Sequence, residues 1–201
     1  MGRNLIYLAL VHYPVLNRHG ELITSAITNL DIHDIARLAR TYEISAYYLV
    51  TPLSDQQVLA RRLVGHWLEG VGGDINPDRR EAMGLIRIAG DIQKVCREIT
   101  LETGRSVIVY ATTAKKWPNS VDWSDLRKTI EDQGGDSILL LFGTAYGFDN
   151  SVLESVDGVI SPIESNREYN HLPVRSAVAI TLDRLLGDRN HISDFLQCNQ
   201  K

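Results

Sequence analysis

The stretch that decides the fold is LLLFGTAYGF, residues Leu139–Phe148. Its uninterrupted apolar run is typical of a buried strand. The strand runs into Gly143, and a tight turn to Gly147 follows. Glycine accepts a positive φ and lets a backbone pass close to a ligand, so the pattern indicates either a ligand-binding loop or an ordinary strand-to-helix turn.

Similar apolar runs recur along the chain and alternate with helical patterns. Besides Asp136–Gly143, the predicted strands are Leu5–Val11, Ser45–Thr51, Gly84–Gly90, Ser106–Thr112 and Val156–Ile163. The predicted helices are Thr28–Tyr42, Ser54–Gly70, Asp91–Thr103, Ser120–Gln133 and Leu172–Gly187, and Gly72–Asp78 is expected to be a connection. This alternation predicts an α/β fold with a mostly parallel sheet and helices on both faces. One domain is expected over residues 1–188, followed by a tail over 189–201.

The composition argues against several functional classes. The 201 residues carry a formal net charge of −4, so any nucleic-acid surface must be a local basic patch. The two cysteines form neither a disulfide framework nor a zinc-site spacing, which fits a reducing cytoplasm. The chain has no G-x-G-x-x-G, no Walker phosphate loop, no G-x-S-x-G elbow and no H-E-x-x-H. The usual dinucleotide, triphosphate, hydrolase and zinc-protease sites therefore have no support.

Ligands of parallel sheets bind beyond the carboxyl ends of the strands, and three predicted strand ends carry candidate residues. The first is TTAKKW, Thr112–Trp117. Its threonines offer hydroxyl and backbone groups, while Lys115, Lys116 and Trp117 are suited to contact phosphate and a base. The same residues also fit a solvated basic loop with one anchoring tryptophan.

The second is the loop that follows LLLFG, and the third is YNHLPVRSA, Tyr169–Ala177. Pro173 suits the first turn of a helix, so Tyr169, Asn170 and His171 are expected to line the positive end of that helix. These three residues either contribute to a binding site or cap the helix and pack the loop.

A fourth candidate is HDIARLART, His33–Thr41. Arg37 and Arg40 are three residues apart and therefore share one helix face. Arg40 lies near the predicted end of the helix and is expected to be close to the ligand-binding edge of the sheet. Both arginines also fit a solvated surface.

Together these segments resemble the SPOUT superfamily of methyltransferases. NLDIHDIARLART resembles the early Asn…Arg-Thr helix of that superfamily, LLLFGTAYGF its Phe-Gly-x-x-x-Gly loop, and YNHLPVRSAVAITL its last loop and helix. The chain is most similar to a small bacterial subfamily of RNA methyltransferases that is sometimes fused to the tRNA guanine-N1 methyltransferase. The resemblance implies a C-terminal trefoil knot, which is a rare exception to the rule against threaded chains, a bound S-adenosylmethionine (AdoMet) and a homodimer.

The resemblance also implies the site residues. Arg40 resembles the SpoU-type arginine that stabilises a developing alkoxide, with Arg37 beside it, and in a homodimer Arg40 of one chain would serve the cofactor of the other. Lys115, Lys116 and Arg167 would hold RNA phosphates. The three loops that would hold AdoMet contain Thr112, Thr113, Leu141, Phe142, Gly143, Thr144, Gly147, Ile160, Ser161, Pro162, Tyr169, Asn170, His171 and Leu172.

The implied function is AdoMet-dependent methylation of an RNA, expected to be a tRNA, at a ribose 2′-hydroxyl. The sequence departs from the SpoU-type pattern in the loop 144–147, at Pro173 and at Asp34, which bears on the acceptor atom more than on the cofactor. Three alternatives remain. The chain is a base N-methyltransferase with Asp34 or Asp149 as its general base, a cofactor-binding RNA partner protein with little activity, or a protein that binds another nucleotide.

Overall fold

A parallel sheet forms the centre of the computed structural model, which describes residues 4–132, 134–165, 167 and 169–188. The strands in chain order are β1 (Leu5–Val11), β2 (Val15–Leu16), β3 (Leu22–Ile23), β4 (Ala46–Val50), β5 (Ile86–Ala89), β6 (Val107–Thr112), β7 (Ser137–Gly143) and β8 (Gly158–Ile160). The main sheet has the order β5-β4-β1-β7-β6-β8, and all its pairings are parallel. β2 and β3 form a separate antiparallel hairpin.

Helices cover both faces of this sheet, which confirms the predicted α/β layers. They are α1 (Asn29–Thr41), α2 (Ser54–Leu68), α3 (Val71–Ile75), α4 (Pro77–Met83), α5 (Ile92–Thr103), α6 (Trp123–Glu131), α7 (Asn150–Ser155) and α8 (Val174–Leu186). One core joins the sheet to α1, α2, α4, α6 and α8, and the other joins it to α5 and α7. Among the described residues, no helix is both long and apolar enough to cross a bilayer.

The segment Gly72–Asp78 is not the simple connection that was expected. It contains most of α3 and the start of α4, where the Asn76 side chain caps the helix by accepting from Arg79 N–H at 2.9 Å. Gly73 is buried, and a Cβ there would be 2.2 Å from the Trp67 carbonyl oxygen. The glycines therefore allow α3 to pack directly against the end of α2. The hairpin β2–β3 and the short α7 were not predicted either, and the predicted tail 189–201 lies outside the described residues.

The sheet register brings four strand ends to one edge. Val11 at the end of β1 is paired with Gly143 at the end of β7, and Thr112 at the end of β6 is paired with Ile160 at the end of β8. The strand order also changes direction between β1 and β7. Such a switch point leaves a crevice at the carboxyl edge, and the residues that follow these strands border it.

A buried chain of hydrogen bonds joins the segment after β1 to the loop after β7. His12 Nδ1 is 2.9 Å from Ser25 Oγ, which is 2.5 Å from Thr144 Oγ1. The Thr144 hydroxyl donates to the Val11 carbonyl at 3.1 Å, and the Ser25 backbone N–H donates to the His12 carbonyl at 2.9 Å. His12 is fully buried, so this chain fixes the loop after β7 from inside the protein.

Because His12 is buried, low pH destabilises the folded protein by protonating it. Desolvation disfavours the imidazolium and lowers the pKa of His12 to about 4, against an opposing effect of the negative charge of Asp31. The unfolded chain takes up this proton near pH 6.5, whereas the folded chain takes it up only near pH 4. The stability that the neutral imidazole contributes is therefore complete above about pH 6.5 and is lost as the pH falls towards 4.

We expect the free energy of unfolding to fall by about 2–3 kcal/mol between pH 7 and pH 4.5 because of His12. Urea denaturation at the two pH values measures this loss. The His12→Asn variant keeps a side-chain amide near Ser25 but cannot titrate, so its loss should be smaller by the same amount. An equal pH dependence in both proteins would contradict the assignment.

Candidate functional site at the carboxyl edge

Three loops meet at the carboxyl edge of the sheet, as the sequence predicts. They follow β6, β7 and β8 and are called loop A (113–122), loop B (144–149) and loop C (161–173). The Asn170 amide in loop C donates to the Ala114 carbonyl in loop A at 3.3 Å. The His171 ring in loop C meets the Tyr146 ring of loop B edge-on, with centroids 6.3 Å apart. The three loops therefore form one continuous surface.

Loop A begins with two threonines whose hydroxyls are already bonded. Thr112 Oγ1 donates to the Leu141 carbonyl at 3.0 Å, and Thr113 Oγ1 accepts from Lys115 N–H at 3.2 Å. Lys115 and Lys116 are exposed, as a phosphate-binding role requires. Trp117 is half-buried and packs against the core on the α5 side of the sheet, which favours an anchoring role over a contact with a base.

Loop B is a tight turn. Gly147 N–H donates to the Thr144 carbonyl at 3.0 Å, and Gly147 has a φ of +92°, a region that favours glycine. Apart from Gly147 and its two chain neighbours, none of the described residues has an atom within 4 Å of the place where a Cβ of Gly147 would be, so the loop has free space beside its backbone. The side chains of Leu141 and Phe142 are buried in the core, so neither is available to a ligand, and the Leu141 carbonyl already accepts the Thr112 hydroxyl.

Loop C is fixed at its start and open at its end. The Ser161 hydroxyl lies 3.1 Å from Ser120 Oγ and 3.3 Å from Asp122 Oδ1, which ties loop C to loop A. Ile160 is buried and Pro162 is half-buried, whereas Tyr169 and Leu172 are exposed.

The residues before α8 do not cap it. Pro173 occupies the N-cap position, and no side chain makes a cap hydrogen bond there. Asn170 instead binds loop A, and His171 contacts both Tyr146 and Tyr169 through ring contacts. The capping interpretation is therefore wrong for this stretch. Its polar residues shape the surface formed by the three loops.

A depression of about 240 Å³ opens between loops A and C. Lys116 and Arg167 bring two positive charges to it, and Glu164 brings one negative charge, 3.9 Å from the Lys116 ammonium. Ser165 and Asn170 complete its lining. This is a polar, cationic rim beside the strand ends and not an enclosed cavity.

The sequence interpretation missed Arg175, in the first turn of α8. Its guanidinium lies 3.0 Å from Asp31 Oδ1 and 3.2 Å from Asp34 Oδ2, so it joins the N-terminal ends of α8 and α1. Asp31 is buried, and its other oxygen accepts from the Thr28 hydroxyl at 2.6 Å. The signal in the sequence was an arginine two residues after Pro173, in the first turn of the helix that follows loop C.

The position expected for Arg40 is wrong. Helix α1 runs antiparallel to the strands, because it starts beside Arg175 at the carboxyl edge and is followed by Ser45, whose N–H donates to the Ile6 carbonyl at the start of β1. Arg40 is therefore roughly 16 Å along the helix from Asn29 and away from the loops of its own chain. It binds the Glu81 carboxylate there, with Nε 2.7 Å from Oε1. Arg37 is exposed one turn earlier on the same helix.

Both carboxylates considered as general bases are already engaged. Asp34 is paired with Arg175. Asp149 accepts from the side chain and the backbone N–H of Ser151, and these hydrogen bonds lower the pKa of Asp149 below its usual value. A general base needs a pKa near the working pH, which the environment of Asp149 does not favour.

Known proteins are similar to this chain in sequence. A family model described as SAM-dependent RNA methyltransferase matches residues 5–187. A protein of Aquifex aeolicus without an assigned function is 39% identical over 182 residues, which is 90% of this chain and 88% of that protein. A tRNA (guanine-N(1)-)-methyltransferase of Oleidesulfovibrio alaskensis is 43% identical over 187 residues, 93% of this chain but 43% of that protein. The chain thus spans less than half the length of that relative.

Solved structures show the same fold at low identity. A probable methyltransferase from Bordetella pertussis Tohama I has a TM-score of 0.60 at 12% identity and covers 90% of this chain and 94% of its own. The TrmH/SpoU tRNA-modifying enzyme of Aquifex aeolicus has a TM-score of 0.53 at 17% identity, over 95% and 78% of the two chains. AviRb, a SpoU methyltransferase of Streptomyces viridochromogenes solved with AdoMet, has a TM-score of 0.55 at 14% identity, over 96% and 62%. Because the family model matches nearly the whole chain, this chain belongs to the SAM-dependent RNA methyltransferases, and it has the fold of the SpoU enzymes.

Proposed function

We propose that the protein transfers the methyl group of AdoMet to a ribose 2′-hydroxyl of a tRNA. The observation that carries the proposal is the meeting of loops A, B and C at the switch point, joined by the contact of Asn170 with Ala114. AdoMet supplies a methyl group already activated on sulfur, so the protein has to hold the cofactor, align the acceptor and favour the loss of its proton.

The loop backbones suit the cofactor. Gly147 in loop B has a positive φ and free space where a side chain would be, so a ligand can approach the main chain closely there. The proposal assigns Thr112, Thr113, Gly143 and Thr144 to the same cofactor site. The proposal also assigns to AdoMet the backbones of the other residues predicted to bind it. These are Leu141, Phe142, Ile160, Ser161, Pro162, Tyr169, Asn170, His171 and Leu172. Main-chain N–H and C=O groups form a suitable set for recognising adenine edges.

Two observations favour a ribose acceptor over a base nitrogen. Methylation at a base nitrogen that carries a proton calls for a carboxylate that is free to accept it, yet Asp34 is paired with Arg175 and Asp149 is held as a helix cap. A ribose hydroxyl instead benefits from a cation that stabilises the developing alkoxide. The names of the long relatives favour the base alternative, but more than half of their length lies outside the match.

The catalytic arginine of the proposal is Arg40, with Arg37 beside it, and both have to act on a second copy of the chain. The reason is that both arginines lie near the C-terminal end of α1, whereas the loops of the same chain lie at its N-terminal end. Exposed leucines at the carboxyl edge support a homodimer, since Leu30, Leu53 and Leu172 present apolar surface next to the site. Lys115, Lys116 and Arg167 would hold the RNA phosphates, and RNA binding should weaken as salt rises.

The trefoil knot is also part of the proposal. β8 pairs with β6 on one side. On its other side, Val121 N–H donates to the Val159 carbonyl at 2.8 Å, and Ser161 N–H donates to the Val121 carbonyl at 3.0 Å. Loop A thus passes around β8 before α6 begins, and α8 packs against α6 and α1. This arrangement supports a path in which the chain after β8 passes beneath loop A.

The proposal is tested by locating the methyl group. Purified protein, labelled AdoMet and unfractionated tRNA lacking this modification should yield labelled RNA, and mass spectrometry of the nucleosides should find a 2′-O-methyl ribose. A methylated base would move the assignment to the base N-methyltransferases. AdoMet binding without any transfer would indicate the RNA partner protein, and a failure to bind AdoMet would overturn the family's chemistry for this chain.

Ser25→Ala should weaken AdoMet binding by about fivefold to 100-fold, because it breaks the buried chain that holds Thr144 in loop B. Isothermal titration calorimetry measures the dissociation constant. Ser54→Ala is the matched control, since Ser54 is exposed at the start of α2 and makes no side-chain cap bond. Equal affinities of the Ser25→Ala variant and the wild type would show that loop B does not depend on this chain.

Arg40→Ala should abolish methyl transfer and leave AdoMet affinity nearly unchanged, because the guanidinium acts on the acceptor of the other subunit. Arg97→Ala on α5, which lies on the opposite side of the sheet, is the control and should retain full activity.

The action of Arg40 across subunits can be tested by mixing two inactive proteins. Arg40→Ala and Gly147→Val chains that exchange subunits should recover about a quarter of the wild-type activity, since half of the dimers are mixed and each mixed dimer has one intact site. No recovery, in a mixture shown to contain mixed dimers, would rule out action across subunits.

A further inference from the structure

We infer that Tyr146, His171 and Tyr169 form a stacking platform for unpaired bases of the RNA substrate. The inference rests on the proposed function as an RNA enzyme and assigns these rings to the substrate and not to the cofactor. Tyr146 belongs to loop B, and the other two rings belong to loop C.

The geometry of the rings leaves their faces accessible. His171 lies between the tyrosines, with centroids 5.9 Å from Tyr169 and 6.3 Å from Tyr146. The interplanar angles are 51° and 75°, so the rings are tilted or edge-on to one another and no two of them are stacked face to face. Tyr169 is 77% exposed and Tyr146 is 54% exposed, which is unusual for rings that a protein uses for its own packing.

Positive charge lies next to these rings. Asn170, between Tyr169 and His171, binds Ala114, the residue before Lys115, and Asn170 and Lys116 line the same depression. The Lys116 ammonium group is highly exposed, and its ion pair with Glu164 is long at 3.9 Å. Aromatic faces together with solvent-exposed cations are the combination by which proteins bind single-stranded nucleic acid.

The exposure of the rings argues against a cofactor role. A small-molecule site encloses most of its ligand, whereas these rings stand on an open rim beside a shallow depression. Unpaired bases suit them better than a duplex, because base faces are available for stacking only outside a helix. The acceptor nucleotide of the proposed reaction would then lie in a loop or a single-stranded region of the tRNA.

The test uses Tyr146→Ala and Tyr169→Ala, with Tyr146→Phe and Tyr169→Phe as controls that keep the ring. The probes are a twelve-nucleotide oligouridylate, its duplex with oligoadenylate, and unfractionated tRNA. The alanine variants should bind the single strand and the tRNA about fivefold to 150-fold more weakly, and the phenylalanine variants within about twofold of wild type. AdoMet affinity by calorimetry should not change in the Tyr146 variants, because Tyr146 is not among the proposed cofactor-binding residues. The wild type should prefer the single strand over the duplex.

Several results would overturn the inference without touching the proposed function. If the alanine variants lose AdoMet affinity and keep RNA affinity, the rings belong to the cofactor site. If the variants change only the sedimentation of the dimer, the rings are covered by a second copy. Equal RNA affinity of the wild type and the alanine variants, or equal binding of duplex and single strand, would exclude stacking. If the wild type fails to methylate tRNA while the alanine effects remain, the proposed function fails and the platform stands.

Discussion

The burial of the central strands on both faces is the constraint on which the site depends. β1, β4 and β7 are almost entirely apolar and have no free face, so polar chemistry has to begin where the strands end. The pairing of Val11 with Gly143 then makes His12 and Thr144 leave the sheet side by side, and Ser25 closes the gap between them. A shift of this register by one residue would turn every side chain of the strand to the opposite face of the sheet and separate His12 from Thr144.

The sequence allowed the sheet and the three loops to be predicted, because apolar runs and glycines act locally. It did not reveal which end of α1 borders the site, since the spacing of Arg37 and Arg40 defines a helix face but not the direction of the helix in the fold. The role of Arg175 in joining α8 to α1 was not predicted, for a related reason. Its partner Asp31 is 144 residues away, and no local pattern encodes that contact. The glycines of α3 were ambiguous until their close contact with α2 was known. The cytoplasmic location expected from the sequence stays a prediction.

The charges around the site divide into bound and available cations. Arg175 is held by two carboxylates and Arg40 by one, whereas Lys115 and Arg167 are exposed on the rim and Lys116 makes only a long ion pair with Glu164. A cation already matched by carboxylates contributes little to attracting a polyanion, so the rim dominates the local field. This explains how a chain with a net charge of −4 can present a surface to RNA. In the proposed mechanism Arg40 would act on a second subunit, and Glu81 of its own chain would have to release it or share it.

The position of Val121 beside β8 has a consequence for solubility. β8 is the last strand of the sheet on that side, and an uncovered last strand offers its N–H and C=O groups to any extended chain nearby. The backbone of loop A takes those positions by bonding to Val159 and Ser161. The same segment that borders the proposed cofactor site thus protects the sheet from edge-to-edge aggregation, and a change that displaces loop A would endanger both.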